Sequence, residues 1–199
     1  MLRPLAFALG LSLAAPALAA PMATSAAEEA QLAAREVVIR ELATAGDGAV
    51  RVVAAVDVRA AADAVWSALL DFDARKQANA AVQAVEDYKP RAPEAYHIRW
   101  RISKFGMDIV YHNVYRIERA AGRMTHTLDP SQPNDLVESR GVYHVYPSPA
   151  GAGLTRLVWD VESNFGRAIP GFVQKWMSTS ATRDFMADMA RRAEARAAK

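Results

Sequence analysis

The chain of 199 residues carries 24 Lys and Arg against 22 Asp and Glu, and it has no cysteine. Charge this balanced lacks the concentrated basic face of a dedicated nucleic-acid binder, and the missing thiols exclude disulfides, thiol catalysis, zinc–thiolate sites and iron–sulfur sites. The length is that of one domain with room for a real core.

Taken in chain order, Arg3 is the only charge in the first twenty residues, an apolar stretch spans residues 5–15, and Pro16 precedes Ala17-Leu18-Ala19. A basic start, a short apolar region and an A-x-A site make up a secretory signal. The stretch is shorter than the roughly 20 apolar residues a bilayer needs. Residues 1–19 are therefore expected to be removed after Ala19, leaving an exported, periplasmic or secreted, soluble protein. Residues 20–35 follow as an Ala/Glu-rich leader, a short helix or a loose segment, and residues 36–196 form the domain.

From Glu36 the texture turns β-branched, with Val37, Val38 and Ile39, then Gly46-Asp47-Gly48, then an apolar run over 50–58. Two such runs around a Gly-rich turn predict a hairpin. Val65, Trp66, Leu69 and Leu70 make the stripe of an amphipathic helix over 61–70. Asp71-Phe72-Asp73 ends it, and 74–81 is read as a second short helix. Tyr96, Ile98, Trp100 and Ile102 then alternate with polar residues, which predicts a strand with one buried face. Phe105-Gly106 is a hairpin tip, a long strand covers 108–118, and alternation resumes over 123–129 with Met124, His126 and Leu128 on one side. Two more strands, 137–146 and 155–163, flank a turn-rich stretch. Pro170 suits the first turn of a helix reaching to 196.

Short turns between successive strands give an antiparallel sheet, and the final helix is its cover. The fold class is α+β, a curved antiparallel sheet wrapped around a long C-terminal helix. A sheet gripping a helix leaves a cavity unless large side chains fill it.

The run VDVRAAADAVWSALLD at 56–71 resembles the strand-then-helix opening of START-like proteins, the SRPBCC superfamily with its polyketide cyclase/dehydrase and coenzyme Q-binding branches. GVYHVYP at 141–147 and TRLVWDV at 155–161 resemble its last two strands, and IPGF at 169–172 resembles the entry to its C-terminal helix. The resemblance implies a helix-grip fold around a hydrophobic cavity, in a superfamily whose members bind lipids, sterols, quinones or polyketides, some of them acting as cyclases or dehydratases.

Alternation places Ile98, Trp100, Tyr111, Asn113, Tyr115, Met124, His126, Tyr143 and Trp159 on the inner face of the sheet. Ile169, Val173, Trp176 and Met177 fall on the inner stripe of the final helix and its entry. These residues, with Phe165, are the expected ligand contacts: apolar walls with a few polar groups. His126 is the one inner-face side chain whose ordinary pKa suits acid–base work. The alternative is a core histidine bonded to its neighbours. His97 and His112 fall on the polar, outward side, where they are read as solvated, and no carboxylate or thiol stands at ligand spacing to make a metal site. Phe165 and Ile169, between Gly166 and Gly171 and beside Arg167, are read either as a lid able to touch a membrane or as side chains tucked into the core. The expected function is carriage of a hydrophobic small molecule without cofactor, metal or nucleic acid. A cyclase/dehydratase, or a filled-core domain acting through its surface, are the alternatives.

Overall fold

The computed structural model describes residues 22–44, 48–77 and 79–198. The signal segment, and the Gly46-Asp47 part of the first turn, lie outside them. Eight antiparallel strands form one sheet in the order β1-β2-β8-β7-β6-β5-β4-β3. The strands are β1 (Val38–Leu42), β2 (Ala49–Val58), β3 (Val82–Asp87), β4 (Ala95–Lys104), β5 (Met107–Glu118), β6 (Arg123–Leu128), β7 (Glu138–Pro147) and β8 (Thr155–Asn164). Sequence neighbours pair throughout, except that β2 lies against β8 in register from Ala49↔Asn164 to Val58↔Thr155. That pairing joins the first hairpin to the last strand and leaves β1 and β3 as the two edges of the sheet.

Helix α2 (Ala62–Leu70) and the C-terminal helix fill the concave face. The C-terminal helix is α3 (Gly171–Trp176), a π-helical turn Met177–Ala181 and α4 (Thr182–Ala197) in continuous succession. The π turn was not anticipated. Its hydroxyls bond back to the helix: Thr179 Oγ1 donates to the Lys175 carbonyl at 2.6 Å and Ser178 Oγ to the same carbonyl at 3.2 Å. Ser and Thr that satisfy backbone carbonyls in this way weaken the regular ladder. The inward residues Val173, Met177, Thr182, Met186, Met189 and Ala193 advance by four, five, four, three and four. One step of five stays on a single face when an i→i+5 turn absorbs it.

The leader forms helix α1 (Ala26–Ala33) and docks on the outer face of the sheet. Ser25 caps it, and a reciprocal bond from Glu28 completes a capping box. Met22 and Leu32 pack there with Val38, Val53, Ala55 and Val158, so β2 is buried on both faces from Val52 onward and reads as the apolar run Val52-Val53-Ala54-Ala55-Val56. A buried ion pair fastens the contact. Arg156 Nε bonds Asp57 Oδ1 at 2.7 Å, and its Nη1 and Nη2 reach Glu29 at 2.7 and 2.8 Å. Ser148 Oγ donates to Asp57 Oδ2 at 2.6 Å. The Arg156 hydrogen bonds hold the Glu29 carboxyl down at about 2, and both carboxylates lift the Arg156 guanidinium pKa further above its ordinary value.

Two expectations are corrected here. Residues 74–81 are not a helix: a 3-10 turn covers Asp73–Gln77, and β3 follows. The register slip between Val82 and Ala84 breaks the alternation that would have announced this strand. His112 is not solvated. The loop after β6 folds over it, so its Nδ1 lies 3.0 Å from the Pro133 carbonyl, and the Tyr88 ring meets both His112 and His97 edge-on at 5.1 and 5.5 Å. Burial lowers the His97 pKa. Among the described residues no group of three or more His, Asp or Glu could hold a metal ion.

Candidate functional site

Three apolar clusters form in the domain, and the two on the concave face leave a space between them. The main one gathers Val56, Val65, Trp66, Leu69, Phe72, Ile98, Ile117, Met124, Met186 and Met189. The other gathers Ile109, Leu136, Phe165, Ile169 and Val173. Strand β5 shows the plan in one line. Ile117 belongs to the first cluster and Ile109 to the second, and Tyr115, Asn113 and Tyr111 between them line a cavity of about 140 Å3. Trp100 and Ile102 of β4, His126 of β6, Tyr143 of β7, Trp159 and Val161 of β8 and Val50 and Val52 of β2 are further parts of the sheet wall. Trp176, Met177, Ser178, Ala181, Thr182 and Phe185 form the helix wall, so the π turn lies against the cavity.

Ten of the fourteen expected contacts therefore line this space: Trp100, Tyr111, Asn113, Tyr115, His126, Tyr143, Trp159, Phe165, Trp176 and Met177. The other four do not. Ile98 and Met124 share the inner face but sit further along their strands, inside the main core. Ile169 and Val173 are part of the second cluster, which closes one end. Phe165 and Ile169 are both buried, 3% exposed each. Gln174 Nε2 ties the loop down by donating to the Ile169 carbonyl at 2.7 Å. These side chains are tucked into the core, as the plainer of the two sequence readings has it, and the lid is not seen. The exposed aromatics nearby are Phe105, at 52%, and Phe172, at 62%, whose rings meet at 5.3 Å.

The aromatic walls are ordered. Tyr143 and Trp159 stack at 5.0 Å with 10° between planes, Trp100 and Tyr111 stack at 6.2 Å, and Phe185 tilts against Trp159 at 5.1 Å. Burial raises the pKa of Tyr111, Tyr115 and Tyr143 above the ordinary phenol value, so all three carry their protons at neutral pH.

His126 stands in the middle of this wall with both ring nitrogens engaged. Trp159 Nε1 donates to His126 Nε2 at 3.2 Å. Indole N–H is a donor only, so Nε2 is an acceptor and the proton of the neutral ring sits on Nδ1. Nδ1–H then needs an acceptor, and the group 3.5 Å away is the Asn113 side-chain amide. With its Oδ1 turned to His126 the pair is satisfied, and the oxygen otherwise left without a partner finds one. Burial, reinforced by the nearby Arg75 charge, pulls the His126 pKa down to about 3. Room for the ring is made by Gly141: a Cβ there would stand 2.4 Å from His126 Nε2 and 2.7 Å from the Asp160 carbonyl oxygen.

Sequence reasoning missed Arg75. It lies in the 3-10 turn after α2, between polar neighbours that read as a solvated stretch, yet it is 1% exposed and lines the cavity. Phe72 draws it in, its ring centroid standing 3.8 Å below the guanidinium, and Phe185 flanks it at 5.0 Å. The available signal was an aromatic three positions ahead of a cation, just past a helix end.

An eight-stranded open sheet gripping a 27-residue C-terminal helix around an aromatic cavity defines the START-like helix-grip class. The polyketide cyclase / dehydrase and lipid transport family matches residues 49–196, and the chain belongs to that family. A STAR-related lipid transfer protein of Xanthomonas axonopodis superposes with a TM-score of 0.62 at 16% identity, covering 82% of this chain and 94% of its own. A protein of Thermus thermophilus gives 0.61 at 19%, covering 74% and 98%. The Zhui aromatase/cyclase from Streptomyces sp. R1128 gives 0.57 at 16%, covering 75% and 94%. No curated protein matches the chain.

Proposed function

We propose that the protein binds and carries a hydrophobic small molecule in the cavity between sheet and C-terminal helix, and does so outside the cytoplasmic membrane. The observation that carries this reading is a space enclosed by stacked aromatics between two sealed apolar clusters, where a filled core would have left none. The family and the lipid-transfer neighbour support it. His126, the side chain expected to serve acid–base chemistry, has no free lone pair on its ring, so the binding reading stands ahead of the cyclase alternative.

The neutral probe N-phenyl-1-naphthylamine is expected to bind and to quench tryptophan emission by energy transfer, since Trp100, Trp159 and Trp176 line the cavity. Trp100→Ala is expected to weaken that binding and to cost roughly 3–5 kcal/mol of stability. Trp66→Ala, in the core but outside the cavity, serves as the control that loses stability and keeps the probe. A folded wild-type chain that binds no apolar probe removes the carrier reading. The export half has its own test. The chain isolated from its host is expected to begin at Ala20, and an intact Met1 would remove it.

A further inference from the structure

The polar groups of the cavity are not a random scatter. Arg75 brings a guanidinium, a planar fork of N–H donors with no acceptor, to the wall of the cavity. It forms no ion pair among the described residues. The neighbouring carboxylates are committed elsewhere, Asp71 to Arg196 and Asp188 to Arg191 and Arg192. One amino group donates to the Leu69 carbonyl, which leaves Nε and Nη1 buried without a hydrogen-bond partner. Trp100 Nε1, on the same cavity wall, is a buried donor without a partner as well. With the Asn113 oxygen turned to His126, its NH2 becomes a further donor facing the same space. Tyr115 and Tyr143 lie close enough to feel the Arg75 charge, which opposes the rise of both phenol pKa values.

An unpaired buried cation is costly, and π faces offset only part of that cost. Arg75 Nε and Nη1 and Trp100 Nε1 offer hydrogens that no partner takes at full hydrogen-bond geometry, and the acceptors beside Arg75 are the neutral phenol oxygens of Tyr115 and Tyr143, which bring no negative charge to it. The complement is a compact anion with several lone pairs, and a planar carboxylate fits the guanidinium fork. Resting on the proposed binding function, we propose that the cargo is an apolar molecule ending in a carboxylate, whose acid group pairs with Arg75 while its body lies against Trp100, Tyr111, Trp159 and Phe185. The aromatic walls select the body and Arg75 selects the charge. An uncharged molecule of the same shape leaves the guanidinium unpaired, and it is discriminated against for that reason.

The test uses 2-naphthoate and its uncharged isostere 2-naphthamide, titrated calorimetrically into the full chain. The wild type is expected to bind the acid at least tenfold more tightly. In Arg75→Met, which keeps a flexible apolar side chain and removes the charge, that preference is expected to vanish while the amide binds as before. Equal affinity of the wild type for both compounds overturns the proposal and leaves the carrier reading standing. Failure to bind either compound overturns both. Persistence of the acid preference in Arg75→Met assigns it to another group and overturns the role of Arg75. Should that variant not fold, the Arg75 Nε–H resonance of the wild type decides: it is expected to move with naphthoate and stay put with naphthamide, and the reverse or an equal shift overturns the assignment.

Discussion

Asp57→Ala is expected to cost about 3–5 kcal/mol of stability, the largest loss of any polar substitution in the domain. The reason is what it leaves behind. Arg156 is buried on the outer face, and in the variant its guanidinium keeps one carboxylate, the half-exposed Glu29, after losing two bonds to Asp57. The loss includes the Ser148 bond, and it frees on one side the Arg156 guanidinium that, together with the Arg40–Glu28 pair, ties α1 to the sheet. Replacing both members, as in Asp57→Leu/Arg156→Met, removes the stranded charge and is expected to recover most of the loss. Urea denaturation of the wild type, the single and the double variant measures all three terms. A single variant within about 1 kcal/mol of the wild type would show that the pair is solvated in solution and does not fasten α1.

Acid is expected to destabilise the protein through His126 well before its carboxylates titrate. The folded-state pKa of this ring is about 3, and the unfolded ring takes its proton near 6.5. Above about pH 6.5 both states are neutral there and nothing is lost. Below it the unfolded state binds a proton that the folded state refuses, so stability falls by about 1.4 kcal/mol per pH unit until the folded ring titrates. At pH 5 the contribution is about 2 kcal/mol, a pH still above the window in which Glu29 gives up its own stabilisation, which lies between its ordinary 4.5 and about 2. His126→Gln is expected to flatten the profile between pH 7 and 5. His97 and His144, both lowered by burial, leave a smaller residual slope of the same sign. An NMR titration of His126 in the folded chain with a midpoint near 6.5 would sink this account.

Much of the sheet was legible because alternation is a local signal. Tyr96, Ile98, Trp100 and Ile102 show it, and the β5 residues paired with them register one by one, Trp100 against Tyr111 and Ile98 against Asn113. The cavity wall followed from the same alternation, which fixes the face of a residue and says nothing of its position along the strand. That is why Ile98 and Met124 were assigned to the cavity and lie in the core instead. What stayed hidden depends on segments distant in sequence. β3 lost its period to a bulge, His112 was buried by residues 129–135, and Arg75 turned inward because a 3-10 turn over Asp73–Gln77 stands where the sequence suggests a second short helix over 74–81. The Ser25…Glu28 capping box was in plain view, and it would have settled the leader as a helix.

The π turn has a consequence for how this chain tolerates length changes. A helix that keeps one face across a step of five holds one residue more than an α-helix spanning the same faces would need. Deleting Ser180 turns the inward steps into an unbroken series of threes and fours, so both halves keep their orientation and the helix becomes regular. The deletion is accordingly a mild one for folding, in a place where removing a residue from a helix ordinarily rotates everything beyond it by about 100°. What it removes is the bulged stretch of wall at Ser178 and Ala181. One residue of surplus chain sets the bore of the cavity, and a lineage could widen or narrow it by a single codon without repacking either half of the helix.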